Sequence, residues 1–156
     1  MKALIVYDSY FGNTQKIAET IGNSIAPNND VTVCMITSIK PEQLSGVNLL
    51  IVGSPTRSFK PTDAIKKFLN SIPSNGLKCI DVLAFDTRIS AKDANSKVLK
   101  VFIKVFGYAA EPIGEKIQKK GGNLIAPPEG FFVQDTEGPL KEGELERAAN
   151  WVKGRI

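Results

Sequence analysis

Histidine is absent from this 156-residue chain, and cysteine, methionine and tryptophan are scarce, at two, two and one residues. Without histidine, no Ser–His–Asp or Cys–His nucleophile pair and no histidine-ligated zinc centre can be assembled, and the commonest general base is missing. Cys34 and Cys79 each stand in an apolar, strand-like run, with no CxxC spacing. They are expected to be buried, reduced thiols and not a metal site or redox pair. No apolar run approaches the ~20 residues that a membrane-spanning helix needs. A strand pattern begins by residue 3, which leaves no room for a secretory leader, so a cytoplasmic location is expected. Neither a metal nor a nucleic-acid partner is expected.

What is present is ordinary in amount and uneven in placement. Hydrophobic residues make up 42% and charged residues 23% of the sequence, as in a globular domain. The length suits one domain over residues 1–156, enough chain to bury a full core. The net charge is +4. Residues 88–120 carry eight basic against three acidic side chains, and residues 134–147 five acidic against two basic. A monomer is expected.

The chain is organised around its start. Ala3–Tyr7 is continuously apolar and β-branched at Ile5 and Val6, which suits a strand buried on both faces of a parallel sheet. Small and polar residues follow, including Ser9, Gly12, Asn13 and Thr14, and then Ile17, Ala18, Ile21 and Ile25 recur at helical spacing. Strand, short polar loop and helix start is the geometry in which free N–H groups and a helix dipole meet an anion. The first cation after the strand is Lys16, so this is no P-loop, and the three-glycine dinucleotide spacing is absent too. Hydroxyls at Ser9 and Thr14, the Asn13 amide and close approach at Gly12 suit a phosphate monoester held by neutral donors. The plainer alternative is a structural turn with Asn13 as helix N-cap.

Further along, Val31–Ile36, Leu49–Val52 and Cys79–Phe85 read as strands. Asn123–Ala126 begins a fifth, which Pro127 and Pro128 interrupt and Phe131–Val133 resumes as an edge pair. Between them, Pro41–Leu44 predicts a short helical turn. Ile65, Phe68, Leu69 and Ile72 predict a helix from near Thr62 or Asp63. Residues 138–151 are expected to open the final helix, with Leu145, Ala148, Ala149 and Val152 on its apolar face and Trp151 packing it. Alternating strands and helices argue for a parallel α/β sheet with right-handed crossovers. In such sheets ligands sit beyond the carboxyl ends of strands, which directs attention to Gly53–Pro61 and Asp86–Ser90. Residues 92–107 hold an unexpected basic amphipathic segment. Val98, Leu99, Val101, Phe102, Val105 and Phe106 lie opposite Lys97, Lys100 and Lys104. It reads as an extra helix covering the sheet, or as a face for acidic membranes or proteins.

Ser9-Tyr10-Phe11-Gly12-Asn13-Thr14 after a buried strand resembles the phosphate-binding loop of the flavodoxin family. Gly53-Ser-Pro-Thr, Ala84-Phe-Asp-Thr-Arg88 and the Gly-Glu-Leu-Glu-Arg-Ala ending resemble a bacterial and archaeal branch of flavodoxin-domain proteins. The resemblance implies a doubly wound five-stranded parallel sheet, order 2-1-3-4-5, with helices on both faces and an extra helix near residues 95–107. It also implies FMN as cofactor, redox proteins as partners, and electron transfer between larger enzymes as the activity, with no catalytic side chain. Ser9, Tyr10, Phe11, Gly12, Asn13 and Thr14 would then meet the phosphate. Ser54, Pro55, Thr56, Arg57, Ser58 and Phe59 would follow the ribityl chain and ring, and Asp86, Thr87 and Arg88 the pyrimidine edge.

The departures from the family lie at the ring end. Phe11 replaces a hydroxyl residue, no glycine stands between Pro55 and Pro61, and the tyrosine usual in the third loop is missing. Arg57 is expected to favour reduced flavin or to point to solvent, and Phe59 to pack on the ring or pin the loop to the core. Arg88 would face the flavin or pair with Asp86. The basic charge, unusual for the family, suggests partners with acidic docking faces. Two alternatives stand beside the carrier. One is a flavin-dependent oxidoreductase of protoporphyrinogen-oxidase type, and the other a binding module of weak flavin affinity. A response-regulator receiver would need an acidic cluster, and Asp8 stands alone.

Overall fold

The apolar run at the start of the chain forms strand β1 (Lys2–Tyr7) in the computed structural model, which describes residues 1–156 except the side chain of Pro41. Strands β2 (Asp30–Met35), β3 (Leu49–Pro55), β4 (Asp81–Ile89), β5 (Asn123–Leu124) and β6 (Glu129–Val133) follow. They alternate with helices α1 (Asn13–Ile25), α2 (Asp63–Ser71), α3 (Lys97–Phe106), α4 (Ala110–Lys119) and α5 (Glu144–Lys153). A 3-10 turn spans Pro41–Leu44, as its leading proline predicts. Strand order is β2-β1-β3-β4-β5, all pairs parallel, with β6 also on β4. No helix among the described residues is long and apolar enough to cross a membrane.

Side chains of the central strands alternate between two cores. Ala3, Ile5, Tyr7, Ile51, Leu83 and Phe85 join Ile17, Ile21 and Trp151 from α1 and α5 on one face. Leu4, Val6, Leu50, Val52, Val82 and Ala84 join Ile65, Leu69, Ile113 and Ile117 from α2 and α4 on the other. Burial on both faces explains the unbroken apolar runs, each buried aliphatic contributing about 1.5–3 kcal/mol. Trp151 closes the first core edge-on to Phe131, ring centroids 5.9 Å apart. Thr62 caps α2, its hydroxyl accepting from Ile65 N at 3.4 Å.

Several expectations need correction. Cys79 is exposed, not buried, and β4 begins two residues later at Asp81. Leu77 and Ile80 take the core positions, while Cys79 sits between them in a turn with φ +64°. Cys34 is half-buried on the edge strand β2. The fourth strand also runs on through Asp86–Ile89, because β6 supplies backbone partners from Phe85↔Glu129 to Ile89↔Val133. The third ligand loop is therefore largely strand. The fifth strand, by contrast, is interrupted at Pro127 and Pro128 as expected, giving β5 and β6, both paired to β4. In α5, Leu145 is exposed, and Glu144 takes the buried place, accepting from Phe132 N at 2.7 Å. The extra helix α3 exists, but it does not cover the sheet. Val98, Val101, Phe102, Val105 and Phe106 are all exposed.

Candidate functional site

The parallel register sets Tyr7 beside Gly53, Ser54 beside Asp86 and Pro55 beside Thr87. The segments leaving β1 and β3 and the end of β4 therefore meet at one edge of the sheet, where strand order reverses. This is the crevice expected of an open α/β sheet.

Its polar end is built from the turn between β1 and α1. Asp8 N donates to Gly53 O at 3.1 Å, and the Asp8 carboxylate accepts from Ser9 N at 2.9 Å. Ser9 Oγ accepts from Gly12 N at 3.1 Å and Gln15 N at 3.4 Å, which leaves its own hydrogen free to donate. Gly12 is the N-cap of α1 at φ +83°, a left-handed conformation that glycine adopts without strain. Asn13 is thus not the cap. Its amide donates to Glu137 O at 3.0 Å, and a Cβ at Gly138 would lie 2.6 Å from the Asn13 side chain. Thr14 and Thr87 share a buried hydroxyl–hydroxyl bond of 2.8 Å. It ties the first segment to the third.

The second segment is held from behind. Ser54 is fully buried, its hydroxyl bonded to Pro55 O at 2.9 Å and Thr62 N at 3.1 Å, so it shapes the loop without reaching the crevice. Thr56 N donates to Thr87 O, and Thr56 Oγ1 accepts from Ala109 N, both at 3.0 Å. Arg57 and Lys60 exchange two backbone bonds of 2.9 Å across a reverse turn. At its tip, Ser58 and Phe59 hold φ of +46° and +65°, a conformation that stores roughly 1–3 kcal/mol per residue in non-glycine residues. The Arg57 guanidinium lies 5.0 Å from the Tyr10 ring centroid and 5.9 Å from that of Phe11, joining the first two segments across the mouth. Phe59 packs on Phe102 and Phe106 of α3, at 5.9 and 5.8 Å. It anchors its loop to that helix and not to the core.

The third segment contains a buried ion pair. The Arg88 guanidinium donates to Asp86 through Nε at 2.5 Å and Nη2 at 2.8 Å, and Ala110 N adds a bond of 2.7 Å at the start of α4. Burial pushes the Asp86 carboxyl above the ordinary carboxylate range, opposed by Arg88 and the Ala110 N–H. Asp86 lies behind the crevice, whereas Thr87 and Arg88 line it. Arg88 also covers the ring of Tyr108 at 3.9 Å. Burial raises the Tyr108 phenol, against the pull of Arg88, and its hydroxyl donates to Ile89 O at 3.1 Å.

Ser9, Tyr10, Phe11, Asn13, Thr14, Pro55, Thr56, Arg57, Thr87 and Arg88 share one crevice. Gly12, Ser54 and Asp86 support it from outside its wall. An adjoining recess, sharing Thr56, Ile89 and Thr136 with the first, is lined by Ser58, Phe59, Leu99, Ile103 and Tyr108. The combined cleft has a hydroxyl- and amide-rich end and an apolar end, a division that fits a phosphate-bearing planar aromatic. Val133, Thr136, Ile89 and Tyr108 were not singled out from sequence. The strand-end rule applied to β6 could have found Val133 and Thr136, but nothing local marks Tyr108.

A doubly wound parallel α/β sheet with a ligand crevice at its switch point is the class of protein these features define. A family model described as Flavodoxin domain matches residues 4–122. The structure is similar to a flavodoxin from the domain Archaea, at TM-score 0.76 and 25% identity over 97% of this chain and 94% of that one. Flavodoxin 2 from Bacillus cereus follows at TM-score 0.73 and 21% identity, covering 98% and 96%. The flavodiiron protein from Giardia intestinalis gives 0.74 and 15%, covering 99% of this chain and 35% of that chain. The latter two speak to fold alone. No curated protein matches the chain. The chain belongs to the flavodoxin family. Flavodoxins bind flavin, usually FMN, and work with redox partners, so membership supports a flavin-binding electron-transfer role.

Proposed function

We propose that the chain is a single flavodoxin-like domain over residues 1–156 that binds FMN and, as a monomer, carries electrons between redox partner enzymes. The observation that carries the reading is the convergence of Ser9, Asn13 and Thr14 around the start of α1 with Thr87 of β4, all neutral donors, next to an apolar recess. Ser9, Asn13, Thr14 and the first-turn N–H groups of α1 would hold the phosphate, with Gly12 allowing the approach. Pro55, Thr56 and Thr87 would flank the ribityl chain. Phe59, Tyr108, Leu99 and Ile103 would exclude water from the ring, and Arg57 and Arg88 would supply positive charge at its margin. The bound flavin supplies one- and two-electron chemistry, and the protein sets its potential through packing and charge. No general acid or base is required.

Exposed Arg57 and Lys60 beside the cleft suit a partner with an acidic docking face. The two unpaired cysteines suit a reducing compartment such as the cytoplasm. Titration of purified protein with FMN, followed by quenching of flavin fluorescence, tests the cofactor. Saturable one-to-one binding is expected. A protein that leaves FMN fluorescence unchanged overturns the carrier reading in favour of a binding module, and substrate turnover without any partner protein overturns it in favour of an enzyme.

A further inference from the structure

The helix α3 is amphipathic in sequence yet mostly unburied in the structure. Val98, Val101, Phe102 and Val105 fall at i, i+3, i+4 and i+7, one continuous stripe. Their exposures are 64%, 60%, 43% and 67%, and Phe106 adds 56%. Only the inner edge is engaged, through Leu99, buried Ile103 and the stack of Phe102 and Phe106 on Phe59. Lys97, Lys100 and Lys104 are exposed and flank that stripe, Lys97 four residues before and Lys104 three after Val101. Residues 94–110 contain no acidic residue, and the neighbouring Asp93 is paired with Lys141.

We infer that the outer face of α3 docks onto the surface of an anionic phospholipid bilayer. A ten-residue helix is about 15 Å long, far too short to span, but it can lie in the interface with an apolar stripe buried about 5–10 Å. Lysine stems run along the apolar boundary and bring their ammonium groups to anionic headgroups. Charge and composition select this occupant over others. Protein interfaces are depleted in lysine, whereas three exposed lysines beside an apolar stripe that carries phenylalanine are the composition of a helix lying in a bilayer interface. A second copy would bring like-charged lysines together at the contact. Docking here would place the apolar recess, walled by Leu99 and Ile103, next to the membrane surface. The inference does not depend on the cofactor.

The test is co-sedimentation of the full chain, with and without added FMN, on vesicles of phosphatidylcholine alone or with about a third phosphatidylglycerol at ~0.1 M salt. The wild type is expected to pellet with the anionic vesicles and to bind neutral ones at least roughly tenfold more weakly. Val101→Glu/Val105→Glu, two positions outside both cores, is expected to lose binding at least roughly tenfold while keeping its thermal unfolding and FMN titration. Lys97→Gln/Lys100→Gln/Lys104→Gln is expected to lose the preference for anionic lipid. Wild-type protein that stays in solution, or a glutamate pair that still pellets, overturns the inference. So does a wild-type dimer dissolved by the glutamate pair in the absence of lipid binding, or saturable capture by an acidic redox protein through this face in place of vesicles. Loss of FMN binding in the wild type would instead overturn only the carrier reading.

Discussion

The two ends of the cleft are built on opposite principles. At the polar end Thr14, Thr87 and Asn13 are buried, at 1%, 5% and 8% exposure. Their hydrogen bonds run to neighbouring strands and loops, and no cation takes part. At the ring end Arg57 and Ser58 are exposed, the turn carries left-handed backbone, and its anchor is a helix that itself barely touches the core. One end is buried, hydrogen-bonded and neutral, the other exposed and cationic. In the proposed electron carrier this would separate two tasks: the buried end would hold the cofactor, while the open end would set its potential and meet what it exchanges with.

The largest effect should come from the buried pair on which the ring end rests. Asp86→Ala leaves Arg88, whose side chain is 11% exposed, without its main counter-charge, and strips Ala110 N of its acceptor. Removing one member of a buried pair costs about 3–5 kcal/mol. Urea unfolding should show that loss, and a loss under ~1 kcal/mol would mean that solvent reaches Arg88 and that the ring end is looser than its geometry.

Next is the polar end. Thr14→Val preserves shape and removes the hydroxyl bonded to Thr87 at 2.8 Å. Unfolding stability should fall by about 1 kcal/mol, and FMN affinity by roughly 10- to 100-fold if a charge-assisted bond to phosphate is lost. Riboflavin, which lacks the phosphate, should bind both proteins alike. Equal losses for FMN and riboflavin would show that Thr14 acts only through the scaffold, erasing the proposed division between the ends.

Much of this architecture was legible in the sequence because its signals are local. Continuous apolar runs give strands buried on both faces, and the break to Ser9–Thr14 marks the turn that builds the polar end. What escaped was non-local. Cys79 lies within an apolar run, but the core positions go to Leu77 and Ile80, and only the tertiary turn shows the thiol excluded. Asp86–Ile89 looked like loop because its partner strand, β6, lies some forty residues away and beyond two prolines. Helical periodicity announced α3 and its amphipathic character, yet periodicity is silent on whether anything covers an apolar face. Tyr108 follows that insertion, so its arrival beneath Arg88 at 3.9 Å had no sequence spacing to betray it. The ring end is consequently less short of aromatics than the loops alone suggested.

A smaller effect should separate charge from affinity. Arg57 is exposed and lies over Tyr10 and Phe11, so Arg57→Ala should change FMN affinity by no more than about threefold. Reduction adds negative charge to bound flavin, and an exposed cation a few ångströms away is worth about 1 kcal/mol, equivalent to roughly 40 mV for one electron. The midpoint potential should therefore fall by about 20–40 mV at low salt and by less as salt rises. Unchanged couples would sink the electrostatic role of the ring end.

The smallest effect concerns the strain itself. Ser58 and Phe59 occupy the two central positions of the Arg57–Lys60 turn with positive φ, where asparagine and glycine are the favoured residues. Ser58→Asn suits φ +46° better than serine does and removes no hydrogen bond that the serine side chain makes to the rest of the chain. Stability should rise by about 0.5 kcal/mol, seen as a Tm increase of roughly 1–2 °C. If the strain is part of the ring end's tuning, the midpoint potential will move with it, as expected when a bound cofactor relaxes a strained loop. If stability rises while the potential stays fixed, the left-handed turn is a packing compromise imposed by the stack of Phe59 on α3. The ring end would then differ from the polar end in charge and exposure alone.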